Sequence, residues 1–502
     1  VRSEPTRLVR LRADDSVAVT LDPLAAGAPV PGTGLVSRQP VPAGHKVALA
    51  AVGAGDPVLK YGQVIGHATA PIEPGDHVHL HNLGYHDTVD QEVAIGAGVA
   101  PEPLPAATFD GIVRADGRVA TRNYVGIISS VNCSATVAKL IADQVRMSGM
   151  LAAHPSVDGI VAITHGSGCG LASDGEGLDL LKRTLSGYAD HPNFGALIVL
   201  GLGCEVNQIA ELDLPEQTPV VGMTIQEAGG TATAVRAGIR AVGEVLEKLD
   251  VQRQPVPVSE LVLGLKCGGS DGYSGITANP ALGVAADLLI AHGGTAVLCE
   301  TPEIYGAEHL LAARAESREV ADALLERIAW WREYTAKHGG SLDNNPSPGN
   351  KEGGITTILE KSLGAVAKSG STPLRAVRRF AERIDSRGLV FMDTPGYDPV
   401  SVTGMVAGGA NVVCFTTGRG SVYGCKPVPS LKLATNTAVY QRMTEDMDLN
   451  CGVVADGELG LDEMGRRILD AVVATASGRQ TASEALGFGD EEFAPWQLGA
   501  VM

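Results

Sequence analysis

Over residues 7–93 the apolar positions come in short alternating runs, SVAVTL, KVALAAV, QVIGHAT and HVHLHN, separated by AGAPVPGTG and IEPGDH. A period of two interrupted by Gly and Pro predicts short strands joined by tight turns. Residues 1–94 therefore read as a small β domain. Residues 95–110, rich in Pro, Ala and Gly, read as a linker.

From Asn123 the pattern becomes strand–loop–helix. YVGIISSV leads into NCS and a helix over Thr136 to Met147, and GIVAITHG, GALIVLGLGCE and PVVGMTI open further units. In the helix of TATAVRAGIRAVGEVLEKL, Val235, Ile239, Val242, Leu246 and Leu249 share one face. Near-continuous apolar strands alternating with helices imply a parallel sheet covered on both sides. Residues 111–250 form this first α/β region. After VQRQPVPVS a second, 259–502, carries the strands of ELVLGLKCGGSDG, GTAVLCETP, RGLVFMDTPG and ANVVCFTTGRG. A helical stretch runs from Glu308 to Lys337. SLDNNPSPGNKEGG reads as a long irregular loop, a kind often functional. The fold class is α/β: a small β domain, then two α/β regions with mainly parallel sheets. Residues 453–502 show an amphipathic helix around RRILDAVVATAS and no assignable chemistry.

Composition narrows the function. The chain has 502 residues, 44% hydrophobic and 19% charged, which fits a multidomain globular protein. A formal charge of −18 argues against nucleic acid, but local cations or a metal still allow a small anionic ligand. No run approaches the roughly 20 apolar residues of a membrane span, and the opening VRSEPTRLVR has no apolar core of a signal peptide. A cytoplasmic protein without nucleic-acid or membrane partners is expected. Exposed sheet edges and a separable first domain make a homodimer plausible.

Ligands of open parallel sheets collect at the carboxyl ends of the strands. That rule gathers Asn132, Cys133, His165, Cys169, Cys204, Glu205, Lys266, Cys267, Asp271, Glu300, Asp393 and Arg419. The inventory of acids, bases, metal ligands and an anion clamp is that of an enzyme. In HVHLHN, an extended strand would put His77, His79 and His81 on one face. No strand is followed by G-x-G-x-x-G and a later acidic residue, which argues against a nicotinamide oxidoreductase.

Several longer motifs go further. DGRVATRNYVGIISSVNCS, GLGCEVNQ, KCGGSDGYSGITANPALG, NPSPGNKEGGITTILEKSLGA and TTGRGSVYGCKPVPSLKLATNT closely resemble the altronate/galactarate dehydratase family. KYGQVIGHA with GDHVHLHN resembles the SAF (β-clip) domain at the start of such chains. DTPGYDPVS and GCKPVPSLKLATNT look more like the altronate branch. The resemblance implies loss of water from a sugar acid to a 2-keto-3-deoxy product with a divalent metal, typically Fe(II). The substrate would be D-altronate, with galactarate dehydration, sulfite elimination from sulfolactate, or a non-catalytic sugar-acid-binding protein as alternatives.

Removing the weakly acidic C2 proton and expelling the C3 hydroxyl requires a base, charge stabilisation at the carboxylate, and an acid or Lewis acid at the leaving oxygen. His79 and His81 match the family's H-x-H-N segment and are expected to bind metal or move a proton, with Asn82 beside them contacting substrate. His77 lies outside that match and is expected at the surface. Lys60 is a candidate for the substrate carboxylate, or for the base, and His165 for catalysis or ligation. Lys266 and Asp271 are candidate catalytic residues and Ser270 a candidate substrate contact, on a turn whose glycines let backbone N–H groups approach an anion. Asn350, Lys351 and Arg419 are candidate substrate contacts. Cys133, Cys169, Cys204 and Cys267 are either packing residues or soft metal ligands. Mononuclear Fe(II), an iron–sulfur cluster, and Mn(II) or another divalent metal all remain open.

Overall fold

A computed structural model describes residues 7–86, 96 and 98–499. Residues 1–6 and 87–94 of the expected β domain, and 95 and 97 of the expected linker, lie outside the described residues.

The first unit is three small antiparallel sheets, one of them the two-stranded pair Pro29–Val30 and Leu35–Val36. Leu8–Val9, Val17–Thr20, Lys46–Ala48 and His77–Val78 form the second, in that order. Pro57–Lys60, Gln63–Ala68 and Leu83–Gly84 form the third. Val58, Ile65, Val78 and Leu83 are buried in the same apolar cluster as Ala278, Leu282 and Leu359 far along the chain. The β unit is therefore welded to the last unit through shared apolar burial.

The middle unit has four parallel strands in the order Gly159–Ile163, Tyr124–Ser129, Phe194–Gly201, Val220–Thr224. Every residue of Phe194–Gly201 is buried, as a parallel strand covered on both faces must be. Helices Asn132–Ser148 and Thr231–Leu246 cover one face, burying Val235, Val242 and Leu246. Helix Glu176–Ala189 covers the other and packs on helix Asp398–Ala407 of the last unit. The first helix begins at Asn132 and not at Thr136, so Cys133 sits in its opening turn.

The last unit is a seven-stranded parallel sheet. Its order is Leu374–Arg378, Gly388–Met392, Thr295–Cys299, Val262–Cys267, Val412–Thr417, Ser430–Ala434, Leu449–Asn450. The chain starts in the centre at Val262–Cys267, fills one side, then returns to Val412–Thr417 on the other. The crevice at that reversal, at the strands' carboxyl ends, is where such sheets bind ligands. The expected long helix is two, Glu308–Ala312 and Arg318–Lys337, with the Ser317 hydroxyl capping the second. The stretch read as an irregular loop contains a short helix, Pro348–Glu352, closed by a Ser347–Asn350 capping box.

The entry and exit of the middle unit are paired. Thr108–Val113 runs antiparallel to Gln254–Pro257, and Arg253 donates to the Asp110 and Thr121 carbonyls. Among the described residues no helix is long and apolar enough to cross a membrane.

Candidate functional site

HVHLHN does not stay extended. The strand ends at Val78, because the Asn82 side chain accepts from the His79 N–H at 2.9 Å and donates to the His77 carbonyl at 3.0 Å. The chain turns over residues 79–82 before the next strand. Parity is lost: His81 is exposed, while His77 and His79 are half-buried and face inward. His77 is thus not a surface residue, and Asn82 spends its amide on the turn.

The third member of this cluster is His45, which immediately precedes strand Lys46–Ala48. That strand pairs antiparallel with His77–Val78, Val47 opposite His77, which sets His45 beside the other two. His45, His77 and His79 each offer a ring nitrogen within 4.8 Å of the others. His45 Nε2 lies 3.1 Å from the Glu352 carbonyl oxygen and must donate to it, leaving bare Nδ1 3.0 Å from His77 Nε2. The Nδ1 of His79 is buried without a partner. Burial, with the positive field of His45 and Lys46, pushes His77 down to about 4 and His79 to about 3. Neutral imidazoles with free lone pairs are the state that binds metal. The Glu352 carbonyl acts as the outer partner that fixes a ligand's tautomer. These residues fit a divalent ion.

Glycines bring this cluster to the last unit. A Cβ on Gly272 would lie 1.9 Å from the Gly44 carbonyl oxygen, and one on Gly354 2.3 Å from it. Gly272 N–H donates to the Gly353 carbonyl at 2.7 Å. Only bare backbone lets the loop before His45 lie against the GGSDG and KEGG turns. One step deeper, Lys46 and Lys60 both pair with Glu360 at 2.9 Å, all three side chains being almost fully buried. Burial opposes the charge on Glu360, but the two ammonium groups outweigh it and hold the carboxyl low. Lys60, expected at the substrate, is thus committed to a tie between units.

At the reversal point, Gly269 O accepts from the N–H groups of Gly418 and Arg419 at 3.0 and 2.8 Å. A cavity of about 500 Å³ opens beside Gly268 and Gly269, lined also by Glu303, Asn350, Lys361 and Asp398. Beneath it Lys266 is fully buried, paired with Glu300, bonded 2.7 Å from Asp398 and 2.8 Å from the Cys267 carbonyl. It is a fixed cation and not a free base. Glu300 sits at φ 73°, a strained position for a side-chain-bearing residue, and its Oε2 has no partner. Burial, reinforced by Glu303, pushes its carboxyl up. Burial opposes the charge on Glu303, but Lys361, 2.8 Å away, together with Lys266 and Lys368, holds its carboxyl low.

Several expected site residues have their polar atoms engaged by neighbouring groups. The Asp271 carboxylate accepts from Ser274, Thr435 and Asn436. The Asn350 amide donates to the Ser270 carbonyl at 2.9 Å, so Ser270 and Asn350 fix one turn against the other. Cys267 is buried, 2.7 Å from Lys368 Nζ and 3.4 Å from Glu303, and with Glu300 and Glu303 it offers ligand atoms within 4.8 Å of one another, a second set that could hold a metal. His165 has both ring nitrogens on backbone, Nε2 donating to Ser129 O at 3.0 Å and Nδ1 accepting from Ser167 N–H at 3.1 Å. Two expected contacts are not buried in such networks. Arg419 is exposed and pairs with Glu352 at 3.0 Å, and the Lys351 ammonium makes no ion pair among the described residues. Sequence reasoning missed His45, Lys361 and Asp398. For His45 a signal existed, since antiparallel pairing of GHKVALA with HVHLH would have set the histidines side by side.

Three family models cover the chain in order. The Altronate/galactarate dehydratase SAF domain matches residues 6–86. The second domain of D-galactarate dehydratase/Altronate hydrolase matches 111–250, and the C-terminal D-galactarate/Altronate dehydratase domain 258–501. Altronate dehydratase of Bacillus subtilis (strain 168) is 34% identical over 98% of this chain and 99% of its own. Galactarate dehydratase (L-threo-forming) of Escherichia coli (strain K12) is 37% identical over 94% and 93%. The (2R)-sulfolactate sulfo-lyase subunit beta of Chromohalobacter salexigens is 34% identical over 76% and 96%. The full-length relatives named dehydratases, with the matching family models, make the chain a sugar-acid hydro-lyase, a carbon–oxygen lyase. The chain belongs to the altronate/galactarate dehydratase family.

Proposed function

We propose that this chain dehydrates D-altronate to 2-keto-3-deoxy-D-gluconate in the cytoplasm, with Fe(II) held by His45, His77 and His79. The observation that carries the reading is the convergence of those three imidazoles beside the GGSDG and KEGG turns in a chain of the dehydratase family. Bound there, a divalent ion supplies electrostatic stabilisation for the substrate's carboxylate and hydroxyl oxygens. Helix Pro348–Glu352 serves both places: Asn350 lines the cavity, and Glu352 holds His45 two residues, about 3 Å of helical rise, further on.

Arg419 and Lys351 anchor the substrate carboxylate, the guanidinium exchanging Glu352 for the ligand. Asp398 takes the C2 proton. It lines the cavity, is about a third exposed, and leans on a single buried cation, Lys266. Glu303, the other lining carboxylate, is bound by Lys361 and Asn345. The electron pair from C2–H forms the C2–C3 double bond as the C3 hydroxide leaves; the proton taken by Asp398 passes to that hydroxide to give water, and the enol product tautomerises to the 2-keto acid. Free thiols throughout the described chain fit a reducing compartment.

The test is an anaerobic assay with Fe(II) against D-altronate, galactarate and (2R)-sulfolactate, following 2-keto-3-deoxy acid or sulfite. Altronate is expected to give the highest kcat/KM. Preference for either other acid, or no turnover of any, overturns the assignment.

A further inference from the structure

Three exposed thiols stand apart from this chemistry. Cys133, Cys169 and Cys204 follow three neighbouring strands of the middle sheet, Tyr124–Ser129, Gly159–Ile163 and Phe194–Gly201. Their loops are laced together. Asn132 N–H donates to Ser167 O at 2.8 Å, and its side chain to His165 O at 3.2 Å. Asn207 N–H donates to Gly168 O at 3.1 Å, and its side chain to Ser130 O at 2.8 Å. Gly168 presses so closely that a Cβ there would lie 2.8 Å from the Val131 Cα. Each cysteine is thus within three residues of a shared anchor.

The polar groups that build this junction are buried. His165 and Asn207 are almost wholly enclosed, and so is Glu205, whose carboxylate accepts from Ser130 Oγ, Leu202 N–H and Gly203 N–H. Asn207 Oδ1 is buried without a partner. Burying that many polar groups is costly unless each is bonded. Their shared effect is to fix three short loops, and each loop carries one thiol. Gln226 Nε2 already donates to Cys204 Sγ at 3.3 Å.

The three sulfurs do not all lie within 4.8 Å of one another. Thiolates on one tetrahedral ion with bonds of about 2.3 Å stand roughly 3.8 Å apart. A [4Fe–4S] cluster spreads its thiolates further apart than a single ion does, and three thiols on three laced loops are the set it takes. We infer that Cys133, Cys169 and Cys204 hold a [4Fe–4S] cluster. Three protein thiolates leave one iron without a cysteine, open to an oxygen ligand from water or a hydroxy acid. The Gln226 amide would hydrogen-bond a ligating sulfur, a known lever on cluster potential. The site is separate from the three histidines and does not depend on which acid is the substrate.

The test uses the full chain, reconstituted anaerobically with ferrous iron, sulfide and a thiol reductant and then desalted. About four acid-labile sulfide per chain are expected, with about four iron matched to it besides the one ion at the histidines, and with broad sulfide-to-iron absorption in the visible. C133S, C169S and C204S should each lose most of the sulfide. H79A and the buried-thiol control C451A should keep it. Because the three thiols are exposed, their serine variants should retain the wild-type denaturation midpoint. In a parallel readout, reconstitution should protect these three cysteines from alkylation, as read by mass spectrometry. Iron without labile sulfide, or serine variants that hold as much sulfide as wild type, overturns the cluster.

Discussion

His45 Nδ1 lies 3.0 Å from His77 Nε2, although 32 residues separate them in sequence. The contact exists because two antiparallel strands put both rings on the side that meets the last unit. If the cluster holds the metal, H45A, H77A and H79A should each lose bound Fe(II) on dialysis. Turnover should fall by more than the roughly 10–100-fold typical of losing only an outer partner. H81A should keep both. Iron content and kcat measured across the four variants check this, and equal loss in H81A would count against the cluster.

Glu360 should be the main tie between the β unit and the last unit. E360Q leaves Lys46 and Lys60 buried without an anion, and breaking such a pair costs about 3–5 kcal/mol. The Glu360 carboxyl is held below its ordinary value of 4.5. Its contribution is therefore complete above that pH and lost as pH falls towards the depressed folded value. Urea titrations should show a lower midpoint for E360Q at neutral pH and a shallower decline below pH 4.5.

Gly272 should matter through contact and not through chemistry. In G272A the new methyl meets the Gly44 carbonyl and pushes the loop carrying His45 away. We expect a loss of about 1–3 kcal/mol in stability, as for other overpacked sites, and at least a tenfold drop in kcat/KM from displaced His45. G222A, whose Cβ would meet nothing closer than 3.9 Å, is the control. Unchanged kcat/KM in G272A would show that the loop's position is unimportant.

Acid should loosen the contact between the two parallel sheets. His191 is buried, donating from Nε2 to Ala410 O and accepting at Nδ1 from Asn193 N–H, so it must stay neutral. Burial lowers it from 6.5 to about 4. Its contribution is full above pH 6.5 and is lost as pH falls towards 4, of order 3 kcal/mol in all. Denaturation midpoints between pH 7.5 and 4.5 should fall more steeply in wild type than in H191N.

Much of the scaffold could be read from sequence, because buried parallel strands such as YVGIIS and VVCFTT leave unbroken apolar runs. Contacts between distant segments could not. Alternation made His77, His79 and His81 equivalent, whereas one side-chain turn at Asn82 decides which of them face inward. His45 stands alone in its run, so only strand pairing reveals its role. Cys267 shares a strand-end address with the other three cysteines but belongs to a different sheet. Asp271 and His165 have the composition of catalytic residues and the hydrogen bonds of braces, and composition alone cannot separate the two.

The pairing of Thr108–Val113 with Gln254–Pro257 makes the middle unit a bead on a two-strand stem. Beyond the packing of helix Glu176–Ala189 on helix Asp398–Ala407, residues 484–493 lash that bead down. Glu484 forks onto buried Arg122, Asp490 and Glu491 reach Arg146 and Lys139, and the Phe493 ring stands against Tyr188. The last stretch of sequence, chemically mute in itself, is a lashing that fixes the thiol-bearing bead against its neighbours.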